Sequence, residues 1–134
     1  MTSKVIYTGE LRTECEHLRS GSTFITDAPL DNNGKGEAFS PTDTVATALA
    51  SCMLTVMGIK ANGLEVDLTD SFAEVTKHMA SDPRRISEIE VKLSLPSMIS
   101  GKNRKILEHT ARTCPVLYSL HAEIKKKIDF HWVL

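Results

Sequence analysis

The chain has 134 residues, of which 41% are hydrophobic and 25% charged, enough for one globular domain with a real core and too apolar for a disordered segment. A formal net charge of −1 supplies no field that would favour nucleic acid or an acidic membrane surface. The run Lys125-Lys126-Lys127 reads as a solvated strand edge rather than a binding patch.

In chain order, residues 4–16 mix β-branched and charged residues and read as one strand, with Val5, Tyr7, Leu11 and Cys15 on one face. Arg19-Ser20-Gly21 reads as a turn and residues 22–27 as the returning strand. The stretch 31–39, rich in Gly and Asn, reads as an exposed loop. A helix start follows: Ser40 as N-cap, Pro41 at the first helical position, and Asp43 where a capping-box carboxylate belongs. Val45, Leu49, Cys52, Val56 and Ile59 recur at helical spacing, and Asn62-Gly63 supplies a left-handed stop. Such a helix of about 20 residues is about 30 Å long. Its remaining faces carry Ala46, Ala48, Ala50, Met53, Leu54 and Met57, so it is apolar nearly all round, which in so short a chain asks for a second subunit to help cover it.

Beyond Gly63 the pattern returns to strands. Residues 64–77 read as one, and Ile89, Val91, Leu93 and Leu95 alternate with polar residues as a second, joined through Ser81-Asp82-Pro83. Residues 102–112 read as a helix. Pro115 cannot lie inside it, so a new short helix begins near it with Thr113 as the expected cap. A final strand places Ile128, Phe130, Trp132 and Leu134 on one face. The result is an α+β domain over 1–134 in the order β-β-long α-β-β-α-α-β.

Two features bear on location. The N-terminus, MTSKVIYTGEL, lacks the apolar core of an export signal, so a cytoplasmic protein with reduced thiols is expected. The apolar stretch between Asp43 and Lys60 is interrupted by Thr and Ser and is expected to fall short of a membrane span.

The cysteines carry the chemistry. Cys52 sits deep in an apolar helix, where an isolated thiol is neutral and inert, and the helix dipole fades within the first turn. A reactive Cys52 therefore needs a cation from elsewhere. Cys114, near the start of a short helix, has free N–H groups and the positive end of a dipole beside it. Taken alone, each also fits a small core hydrophobe.

The segment SPTDTVATALASC (40–52), read together with TCP (113–115), resembles the OsmC/Ohr family of hydroperoxide-reducing proteins. The resemblance covers most of the chain. It implies an intertwined homodimer around two long central helices, with Cys52 attacking an organic hydroperoxide and Cys114 resolving the product as a disulfide. It further implies an external dithiol reductant, dihydrolipoyl groups among the candidates, and no metal or organic cofactor. An arginine at the first hairpin turn is expected to activate the first cysteine. Arg19 is the first choice and Arg12 the second. The glutamate that holds this arginine in the Ohr branch has Thr42 in its place here, with Asp43 and Glu37 as the nearest carboxylates. Asp43 is better explained as a helix cap than as an arginine holder. Cys15 is expected to be a bystander, and Cys15 with His17 lacks the partners of a metal site, as do the scattered His109, His121 and His131. Two other readings remain beside the peroxidase: a redox sensor whose disulfide forms without turnover, and a structural dimer whose cysteines are core residues.

Overall fold

A computed structural model describes all of residues 1–134. The chain forms two compact units, Met1–Val45 and Ala46–Leu134.

The first unit is a three-stranded antiparallel meander, β1 (Ser3–Gly9), β2 (Arg12–His17) and β3 (Thr23–Asp27). The expected single strand over 4–16 is thus a hairpin. Its turn residues Glu10 and Leu11 both adopt left-handed backbone (φ 53° and 62°), a conformation that Asn and Gly usually supply. Val5, Tyr7 and Cys15 do share a face, Val5 opposite Cys15 and Cys15 opposite Phe24, whereas Leu11 belongs to the turn. Arg19 lies in the second turn, closed by the N–H groups of His17 and Gly21 donating to Ser22 and His17 carbonyls. In the 31–39 stretch, one 3₁₀ turn (Leu30–Asn32) folds the loop back on itself. A Cβ on Gly34 would stand 1.6 Å from the Ala28 carbonyl oxygen, so only glycine fits there.

The helix α1 (Pro41–Leu64) starts as its sequence dictates. The Ser40 N–H donates to Asp43 Oδ2 at 2.9 Å and the Asp43 N–H donates back to Ser40 Oγ at 3.1 Å, a reciprocal capping box. Its end differs from expectation. Asn62 and Gly63 stay helical, and Glu65 takes the left-handed position (φ 56°). The Glu65 and Val66 N–H groups donate to the Asn62 and Ala61 carbonyls, which makes a Schellman cap. The expected strand over 64–77 accordingly begins only at Phe72, after the helix end and a turn.

In the second unit β4 (Phe72–Ala80) pairs antiparallel with β5 (Arg85–Leu95), and β5 pairs parallel with β6 (Lys125–Trp132). A parallel pair cannot be joined by a tight turn. The connection runs through α2 (Gly101–Ala111) and α3 (Pro115–Ser119). The lysine run opens the edge strand β6, as expected. Ile89, Val91, Leu93 and Leu95 are all buried and form one core cluster with Met53 and Met57 of α1, Leu107 and Ala111 of α2, and Ile128 of β6. Burying each large side chain of this set contributes about 1.5–3 kcal/mol.

The buried face of α1 is Ala46, Leu49, Ala50, Met53, Met57 and Ala61, turned from the stripe that periodicity suggested. Of that stripe only Leu49 is fully buried, while Val45 (39% exposed) and Ile59 (68% exposed) face outward. At 24 residues and about 36 Å, α1 is long and apolar enough to cross a membrane, contrary to expectation, although its Met and Ala face packs as a core helix does.

Candidate functional site

Cys52 lies midway along α1, half-buried, on the shoulder of the Leu49/Met53 face. The β5 strand ends at Leu95, and α2 returns the chain to Cys114, which is wholly buried among core side chains. Cys114, not Thr113, is the N-cap of α3, and its Sγ accepts the Leu117 N–H at 3.3 Å. Thr113 instead donates its hydroxyl to the Thr110 carbonyl at 2.7 Å, closing the end of α2. Pro115 at the first helical position offers no N–H there and fixes the backbone for the turn.

Cys52 is one of the groups that act on the Cys114 thiol, as a side-chain neighbour and through charge. Burial is the largest influence on Cys114 and pushes its thiol above the ordinary range; Leu117 N–H pulls it down, Cys52 pushes it up again, and Val116 N–H pulls it down. The net direction is upward, so the helix-terminus advantage apparent from sequence is outweighed by desolvation. Of the two thiols, Cys52 is the more accessible and Cys114 the buried one. Cys15 sits on β2 between Val5 and Phe24 with Thr13 Oγ1 at 3.8 Å.

The arginines divide differently from expectation. The first hairpin turn is Glu10-Leu11, so Arg12 rather than Arg19 stands beside it, and Arg19 is exposed in the second turn. Arg12 makes a two-pronged contact with Asp27, Nε to Oδ1 at 2.6 Å and Nη2 to Oδ2 at 2.8 Å. Asp27 is 1% exposed and also accepts the Glu37 N–H at 3.1 Å, while Glu37 Oε2 is 4.0 Å from Arg12 Nη2. The Arg12 guanidinium holds the Asp27 carboxyl below its usual range, against the opposing pull of burial. Asp43 is engaged in the helix cap, and Thr42 Oγ1 lies 3.2 Å from Ser40 Oγ. Asp27 was not singled out from sequence; its only local signal is the strand end Asp27-Ala28-Pro29.

Two three-stranded sheets, one long helix and two shorter ones define an α+β chain. The sequence pattern of OsmC-like protein matches residues 34–129, and the chain belongs to that family. Among solved structures it is similar to a candidate osmotic stress induced and detoxification response protein from Psychrobacter arcticus 273-4, with 54% identity, TM-score 0.95, and 98% of this chain and 96% of that one covered. It shares the fold of an organic hydroperoxide resistance protein OsmC from Legionella pneumophila (16% identity, TM-score 0.76, 98% and 97% covered). The same holds for an organic hydroperoxide resistance protein from Elizabethkingia anophelis (13% identity, TM-score 0.75, 98% and 96% covered). No curated protein matches the chain.

Proposed function

We propose that the chain, acting as a single OsmC-like domain, is a thiol-dependent peroxidase that reduces organic hydroperoxides through Cys52 and Cys114. The observation that supports this reading is a partly buried cysteine midway along the long helix acting on a buried cysteine that caps a short one. The Cys52 thiolate attacks the terminal peroxide oxygen. An S–O bond forms, the O–O bond breaks, and the departing alkoxide takes a proton to leave as an alcohol. Cys114 then attacks the sulfenic sulfur; the S–S bond forms and water departs. An external dithiol, of which dihydrolipoyl groups are the leading class, restores both thiols and leaves as a disulfide. The residues supply this chemistry without a cofactor.

A cation is needed to favour the Cys52 thiolate. The family resemblance assigns it to an arginine at the first hairpin turn, a description that Arg12 meets and Arg19 does not. In this proposal Arg12 therefore takes precedence, with Asp27 holding it as the glutamate does in the Ohr branch, and Arg19 is second. The setting is proposed to be a cytoplasmic homodimer, supported by Val5, Tyr7, Phe24, Val45 and Ile59, each at least 39% exposed in the single chain.

Steady-state consumption of cumene hydroperoxide with a dithiol reductant tests the activity. Sustained turnover supports the peroxidase. A single stoichiometric oxidation that does not turn over favours a redox sensor instead, the reading that Thr42 in the place of the Ohr glutamate keeps in play.

A further inference from the structure

The sheet β4-β5-β6 has a second face, opposite Ile89, Val91 and Leu93, and charged side chains occupy it. Strand pairing sets His78 directly across from Glu88 and Thr76 across from Glu90, and on the other side of β5 it sets Lys125 beside Glu88 and Lys127 beside Glu90. The β4–β5 register shifts just past His78, where the Ser87 hydroxyl donates to the His78 carbonyl at 3.0 Å. One ligand atom each from His78, Glu88 and Glu90 lies within 4.8 Å of the other two. His78 Nε2 lies 2.7 Å from Glu90 Oε2.

We propose that His78, Glu88 and Glu90 form a binding site for a divalent transition metal of the zinc class. One imidazole nitrogen and two carboxylate oxygens suit Zn²⁺, Ni²⁺, Co²⁺ or Cu²⁺, whereas Ca²⁺ and Mg²⁺ prefer an all-oxygen set. Bonds of about 2.0–2.2 Å place neighbouring tetrahedral ligands about 3.4 Å apart. The three ligand atoms lie within 4.8 Å of one another, so modest side-chain rotation would suffice to bring them onto one ion. Binding replaces the His78–Glu90 hydrogen bond: Nε2 gives its lone pair to the metal and the ring proton resides on Nδ1. Solvent fills the remaining positions.

The lysines set the strength. Lys127 Nζ is 3.1 Å from Glu90 Oε1, and Lys125 Nζ is 3.9 Å from Glu88 Oε1. Lys127 therefore holds the Glu90 oxygen that faces away from His78, and the two cations offset the two carboxylates. A site so neutralised binds more weakly than a structural zinc site. The ion would tie β4 to β5 beside the shifted register, independently of the cysteines.

The test uses the full chain with Cys15, Cys52 and Cys114 all replaced by Ser, which removes competing thiolates, titrated with Zn²⁺ against a chromophoric chelator. One ion per chain is expected. His78→Ala and Glu90→Gln should each weaken binding about tenfold or more, and Lys127→Ala should tighten it severalfold. Imidazole ¹⁵N spectra of the reduced wild-type chain give a second readout that does not depend on the serine variant folding. The His78 resonance, identified by its loss in His78→Ala, should move on adding Zn²⁺. An unmoved His78 resonance, or equal zinc affinity in the parent and both ligand variants, would overturn the site.

Discussion

At Cys114 two opposing effects meet: helix N–H groups that favour a thiolate and burial that disfavours it, and burial is the larger. Cys114 should therefore alkylate more slowly than Cys52 at neutral pH. Cys52→Ser should abolish peroxide consumption. Cys114→Ser should consume one equivalent and then over-oxidise to sulfinic acid, visible by mass spectrometry. The helix positions of Cys52 and Cys114 were legible, because the Pro-led helix and the Thr-Cys-Pro segment fix where both residues fall. The Arg12–Asp27 pair was not. It forms across a sheet whose first hairpin turn, Glu10-Leu11, carries no turn signal, so that turn was missed and the second, Arg19-Ser20-Gly21, was taken for it. His78, Glu88 and Glu90 were hidden for a similar reason, since only strand register sets residues on β4 beside those on β5.

The Arg12–Asp27 pair also predicts a pH dependence. The folded-state pKa of Asp27 is depressed, so its contribution to stability is present above the ordinary carboxylate value and is lost as pH falls through the lower folded value. Glu90 is depressed too, by the His78 hydrogen bond first and Lys127 second, and acts in the same window. Thermal denaturation followed from pH 7 downward should show the melting temperature falling through the acid range, and Asp27→Asn should flatten that fall. An acid limb unchanged in Asp27→Asn would contradict this account of the pair.

Among the elements, α1 shows both what a sequence announces and what it conceals. Its start follows from Ser40, Pro41 and Asp43, whose hydrogen bonds form as the pattern requires. Ser40→Ala should cost about 1 kcal/mol in chemical denaturation. The end was misread because Asn62-Gly63 is the stronger stop signal, yet tertiary packing of Ala61 and Val66 carries the helix on to Leu64. Glu65 then bears a left-handed conformation that costs a side chain of its kind on the order of 1 kcal/mol. Glu65→Gly should relieve this and raise the melting temperature by a few degrees; a lower value would mean that the Glu65 side chain earns its place through contacts. The strand β5 was read correctly because strict alternation has one meaning on a half-buried sheet. Leu93→Ala there should cost about 2–5 kcal/mol.

For the molecule as a whole, the family follows from the order of elements and the two cysteines, while the covering of its exposed apolar surface does not. Ile59 is 68% exposed on a helix otherwise rich in apolar residues. If a second copy covers this face, light scattering should give about twice the 14.8 kDa chain mass, and Ile59→Glu should shift the protein toward monomer. A wild-type monomer at micromolar concentration would contradict the proposed assembly.

The most direct test of the central claim is peptide mapping after one equivalent of organic hydroperoxide is added to the reduced protein. The account predicts the loss of two thiols per chain, a single intrachain disulfide between Cys52 and Cys114, and a free Cys15. A major disulfide that includes Cys15, or three thiols surviving the treatment, would contradict it.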